Sequence, residues 1–135
     1  MTTPRRREAL QAYLTEVRDL MRLQAWDVEV VDLAPDDTDA ILTIDPQPKR
    51  HYAPIRVGSF FAERTLEQRQ TVVHELAHLW HADLLWYMAM DTWRLPLAPD
   101  HARSIEERVH HELERHADAY ARLLAPSMPM PPRWP

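Results

Sequence analysis

The feature that most restricts this chain is a helix that must carry His74, Glu75 and His78 together. The stretch His74-Glu75-Leu76-Ala77-His78 has the form HExxH. On an α-helix residues four apart share a face, so the two imidazoles can meet one ion about 2.0–2.1 Å from each nitrogen. Glu75 lies one residue round from that face, where its carboxylate reaches a water on the ion without becoming a ligand, as a general base must. The flanking residues agree with a helix. Thr65-Leu66-Glu67-Gln68 has the Thr-x-x-Gln form of a capping box and starts it about two turns before His74. Leu66, Val73, Leu76, Ala77, Trp80 and Leu84 recur at helical spacing as an apolar stripe, with His74, His78 and His81 in a neighbouring polar row.

Composition limits what the histidines can do. With 135 residues the chain forms one domain able to bury a real core. It has no cysteine, so disulfides, thiolate zinc sites and cysteine nucleophiles are excluded, and any metal must be held by His, Asp or Glu. A net charge of −5, without a long basic stripe, gives no support to a nucleic-acid partner. Arg5-Arg6-Arg7 is followed by no apolar run, so no secretory or twin-arginine signal is expected. Leu76 to Met90 is interrupted by His78, His81 and Asp83 and is too short to span a bilayer. The expectation is a cytoplasmic protein without a membrane partner.

Taken in order, Thr3-Pro4 predicts the cap and first residue of a helix whose face is Leu10, Leu14, Val17 and Met21. Trp26 to Val31 alternates like a half-buried strand, Ala40 to Ile44 reads as a second, and Ile55 to Val57 as a third that ends at Gly58. Asp36, Asp37 and Asp39 form an acidic turn that lacks the glycine and terminal glutamate of an EF-hand loop. From Leu84 to Leu97 runs an apolar segment rich in Trp and Met. There the motif helix is expected to continue to about Met90 and give way to a loop folded over the core, or to a flap that binds substrate or a partner protein. Ser104-Ile105-Glu106-Glu107 is a second capping box, opening a long last helix with Ile105, Val109, Leu113, Ala117, Tyr120 and Leu124 on its apolar face. The expected organisation is one α+β domain over residues 1–125 and a proline-rich, extended tail over 126–135.

Two histidines do not complete a catalytic zinc site, which takes three protein ligands and keeps one position for water. On the last helix Glu114 and Asp118 lie four apart on one flank of the apolar face. Glu114 can therefore be the third ligand while Asp118 bonds the far nitrogen of a liganding histidine and fixes its tautomer. His110, His111 and Glu107 are the competing ligands, and His81 belongs beside the site or on the surface.

HExxH followed by Glu-x-x-x-Asp on a later helix resembles the gluzincin class of zinc peptidases. The stretch from Glu114 through Arg115-His116-Ala117-Asp118-Ala119-Tyr120 to Leu123-Leu124-Ala125-Pro126 resembles the ImmA/IrrE family, whose helix reads approximately ExEANxFAxxLLxP. Asp118 stands for the family's Asn and Tyr120 for its Phe, and His116 replaces its second Glu. The likeness covers roughly residues 72–126. It implies a minimal zincin-like fold, with an N-terminal helix, a small three-stranded sheet, the HExxH helix, an apolar loop and a long C-terminal helix.

The resemblance also implies a function. A Zn²⁺-dependent metalloendopeptidase is expected, hydrolysing a peptide bond of a protein or peptide substrate, with His74, His78 and Glu114 as ligands and Glu75 as base. Gluzincins commonly add a His or Tyr that stabilises the oxyanion, for which Tyr87, His101, His110 and His111 are the positions available. In zincins a substrate strand pairs with a sheet edge, so one strand should stay unpaired beside the metal. The alternative is a non-catalytic zincin-like metal-binding module acting through protein–protein contacts, with the Leu84–Leu97 segment as its surface.

Overall fold

A computed structural model of the chain describes residues 2–60 and 66–135. Thr65, expected to open the capping box before His74, lies outside them. Among the described residues the fold is α+β, with three helices and a small mixed sheet. They follow in the order α1 (Pro4–Leu20), β1 (Asp27–Val30), β2 (Leu42–Ile44), β3 (Tyr52–Val57), α2 (Leu66–Arg94) and α3 (Pro99–Leu124), with single 3-10 turns at Pro48–Arg50 and Ala125–Ser127. No described helix is long and apolar enough to cross a membrane.

Helix α1 begins as its sequence predicts. Thr3 caps it by accepting the Arg6 N–H at 3.4 Å, Pro4 occupies the first turn, and Leu10, Leu14, Val17 and Met21 are buried together with Tyr13. The sheet has the order β1-β3-β2, with β1 parallel and β2 antiparallel to the central β3. Val28, Val30, Leu42, Ala53 and Ile55 are all buried, so one face of the sheet meets the helices. β3 starts three residues earlier than Ile55 because it tolerates a proline in its middle. Pro54 stands opposite Asp45, just past the end of β2, so its missing N–H costs one bond of the pairing, which resumes at the Gln47–Tyr52 bridge. Its carbonyl still accepts from the Asp45 N–H at 3.1 Å.

Gly58 ends β3 where the chain crosses the start of β2. Its N–H donates to the Ile41 carbonyl at 2.9 Å, and a Cβ there would lie 1.9 Å from the Ala40 carbonyl oxygen. A backbone atom cannot swing aside like a side chain. Gly58→Ala is therefore expected to destabilise the fold by at least about 2 kcal/mol, read as a lower urea midpoint with an unchanged slope. A wild-type midpoint would show that the Ala40 segment moves freely.

The second half departs from the expected pattern in three respects. First, helix α2 runs past Met90 to Arg94, so the connection at Leu84–Leu97 shrinks to residues 95–98 before α3. Nothing between Leu66 and Arg94 breaks a helix, whereas Pro96 disfavours helical Leu95 and Pro99 suits the first turn of α3. Second, α3 begins five residues before the Ser104 capping box, with Ala98 as its cap residue, so Ser104 lies inside the helix. Third, the buried side of α2 is Val72, Val73, Leu76, Ala77, Leu79 and Ala82, while Leu66, Trp80 and Leu84 are exposed. The sheet, α1 and α3 all contact α2, so its covered surface is broader than one stripe.

The proline-rich end lies along the domain. Pro131 is fully buried, the Trp134 ring meets Phe60 edge-on at 5.5 Å, and the Pro129 carbonyl accepts from the Tyr13 hydroxyl at 2.9 Å.

Candidate metal centre

Helices α2 and α3 pack along each other in opposite directions, which sets the face of His74 and His78 against Glu114 and Asp118. The two Nε2 atoms are 3.2 Å apart. Glu114 bridges them, its Oε2 3.3 Å from His74 Nε2 and its Oε1 3.1 Å from His78 Nε2. Four donors around a tetrahedral ion with bonds of ~2.0–2.1 Å lie about 3.3–3.4 Å apart. The 3.2 Å between the two Nε2 atoms is close to that spacing, and each Nε2 has one Glu114 oxygen at a similar distance, Oε2 on His74 and Oε1 on His78. Two imidazoles and one carboxylate are also a donor set that suits zinc and leaves a coordination position for water. These three are the group of metal-ligating side chains that converges among the described residues.

Asp118 stands behind His74. Its Oδ1 is 2.8 Å from His74 Nδ1, so the carboxylate accepts the Nδ1 proton and leaves the Nε2 lone pair facing Glu114. Burial holds His78 below the usual histidine pKa, opposed by Glu114. A neutral imidazole is the form that binds a cation.

Glu75 faces the sheet side of the site. Its Oε2 accepts the Ile44 N–H at 3.1 Å, from the last residue of β2. Burial is the main cause that raises its pKa from 4.5 to about 7; Glu114 adds to the rise, while His74 and the Ile44 N–H oppose it. A raised carboxyl pKa favours the fold while the group is protonated and disfavours it once ionised. In chelator-treated protein this contribution is fully present below about pH 4.5 and is lost as pH rises through about 7. Compared with Glu75→Gln, the wild type is expected to lose about 3 kcal/mol across that window, since each tenfold change in proton affinity is worth about 1.4 kcal/mol. Urea titrations of both proteins at pH 4.5 and 8 measure this, and parallel pH curves would refute it.

The site opens into a cleft of about 660 Å³ between α2, α3 and the end of β2. β2 is an edge strand. Gly58 donates to Ile41 and Asp45 to Pro54, so in the alternation of an antiparallel ladder Leu42 and Ile44 direct their backbone groups away from β3. Of the four residues considered as oxyanion donors, His110 lines the cleft, one turn before Glu114. Tyr87, 66% exposed, and the exposed His101 and His111 do not line it. His110, His111 and Glu107 lie outside the converging group. His81 lines the cleft and stacks on Tyr120, with ring centroids 6.0 Å apart.

Two parts of this arrangement had no signal in the sequence. The amide that holds Glu75 is backbone, which no residue type announces. Ile105, Val109 and Leu113 have the spacing of a core stripe, yet they line the cleft.

No protein-family model, curated protein or solved structure matches this chain.

Proposed function

We propose that the protein is a zinc-dependent peptidase of the gluzincin kind, a minimal zincin resembling the ImmA/IrrE family, which hydrolyses a peptide bond of a protein or peptide substrate. The observation that carries this reading is the joint placement of His74, His78 and Glu114 at ligand spacing, with Glu75 beside them but outside the ligand group. A site built only to hold an ion has no use for a carboxylate in that position.

His74, His78 and Glu114 would hold the ion. When bound, zinc polarises a carbonyl and brings water into the range of deprotonation near neutral pH. The chain's own residues do the rest. Asp118 keeps His74 in one tautomer. Glu75, oriented by the Ile44 amide, takes a proton at its carboxylate and returns it to the leaving amine. His110 lines the cleft within one turn of Glu114, and its ring can donate to an oxygen that gains negative charge. The outer edge of β2, apart from the Ile44 N–H that Glu75 holds, offers backbone groups to an extended substrate.

The rival reading, a metal-binding module acting through a partner protein, draws on the far end of the helix pair. Leu84, Tyr87, Leu95, Leu97 and Ile105 are all exposed there. Elemental analysis of protein purified without added metal, followed by incubation with a mixed peptide pool before and after chelation, separates the two. One zinc per chain and cleavage that chelation stops and zinc restores are expected. Full zinc with no cleavage of any peptide or protein would favour the module.

A further inference from the structure

We infer that the cleft selects an extended polypeptide segment that places a bulky apolar side chain near the reacting bond and a lysine or arginine a few residues away. The inference deepens the peptidase reading and rests on it for the position of the bond, but not for the binding itself.

The cleft is far larger than an ion and its water need. Its volume of about 660 Å³ extends from the ligand group along the facing sides of α2 and α3. Leu85 and Met88 from α2, and Ile105, Val109 and Leu113 from α3, line it. Ile105 is 41% exposed. The opposite rim is Thr43, Ile44 and Asp45 at the end of β2, where no strand among the described residues pairs with the outer edge and Glu75 holds only the Ile44 N–H. An apolar groove beside an open strand edge fits a chain in extended conformation, with backbone on the strand and alternate side chains in the groove.

Charge decides which chain. Asp45 and Glu106 line opposite sides of the cleft, in addition to Glu75 and Glu114, and no lysine or arginine is among the described residues that line it. Lys49, the chain's only lysine, does not line the cleft but holds its ammonium 5.1 Å from the centre of the ring of Trp86, which does, so the acidic lining of Asp45 and Glu106 outnumbers it. The groove therefore attracts cationic side chains and repels carboxylates. Distance sets the register. Glu106 precedes Glu114 by two helical turns, about 12 Å along α3. An extended chain advances about 3.3 Å per residue, so the cationic residue falls roughly three or four positions from the bond at the metal.

Fluorescein-labelled dodecapeptides with a central Leu-Phe test this. One set carries Arg, and the other Glu, at three or four residues to either side; a third keeps Arg but replaces Leu-Phe with Ser-Ser. Fluorescence anisotropy is measured with the zinc-loaded full chain. The Arg/Leu-Phe set is expected to bind about tenfold more tightly than the Glu set, a difference of about 1.4 kcal/mol, and more tightly than the Ser-Ser set. Glu106→Lys should reverse the Arg preference, and Glu106→Gln should only reduce it. Equal binding of the Arg and Glu sets, or a preference untouched by Glu106→Lys, would overturn the inference, as would no binding by any peptide. The predicted affinities without cleavage would support the inference and count against the peptidase reading alone.

Discussion

Replacing Glu75 with glutamine is expected to lower peptide hydrolysis by a factor of about 10²–10⁴ while leaving one zinc per chain. The substitution is close to isosteric, and the amide oxygen of glutamine can still accept the Ile44 N–H that orients Glu75. What it removes is the ability to take a proton. Because Glu75 is outside the group formed by His74, His78 and Glu114, metal content should not fall. The same variant should be more stable than the wild type near pH 8 after chelation, since it no longer buries a carboxylate whose pKa stands at about 7. Loss of turnover with gain of metal-free stability marks a residue kept for chemistry at a cost to the fold. Undiminished cleavage by Glu75→Gln would remove Glu75 from the mechanism.

Glu114→Ala is expected to have the opposite signature. Its side chain is 57% exposed, so truncation removes little packing and should leave the chelated protein's urea midpoint nearly unchanged. It does remove one of three converging donors, and zinc affinity should fall more than a hundredfold. Asp118→Asn supplies an internal scale. An amide oxygen accepts the His74 Nδ1 proton without the carboxylate's negative charge, and weakening such a partner typically costs ten- to a hundredfold in metal affinity. Competition with a chromophoric chelator gives both values. The expected order is wild type, then Asp118→Asn, then Glu114→Ala. Zinc binding indifferent to Glu114 would mean that another carboxylate or imidazole is the third donor.

Local spacing explains why much of this arrangement could be read from the sequence. His74 and His78, and Glu114 and Asp118, are each four apart on one helix, and a helix turns that spacing into a shared face whatever surrounds it. The face of α1 and its Thr3-Pro4 start follow the same logic. What periodicity does not encode is what covers an apolar face. Ile105, Val109 and Leu113 have the pattern of core residues but line a cleft, and Leu84 belongs to a stripe yet stands in solvent. Pro54 hid the first half of β3, because a proline removes a ladder donor and argues against a central strand, whereas here the pairing spares that one bond and resumes at Tyr52. The seat of Trp134 on Phe60 joins residues more than 70 positions apart, beyond the reach of any local pattern.

The hairpin of α2 and α3 has a consequence for the order in which the molecule assembles. The three candidate metal donors lie on these two helices, which are joined by only four residues, whereas the amide that donates to Glu75 comes from the sheet. Contacts between neighbouring helices close short loops and form early, while the parallel pairing of β1 with β3 spans the whole of β2 and its turns and forms late. On the proposed reading, metal capture and the capacity to use it would therefore belong to different stages of folding. A lesion confined to the sheet is expected to yield chains that load zinc in full yet remain inert.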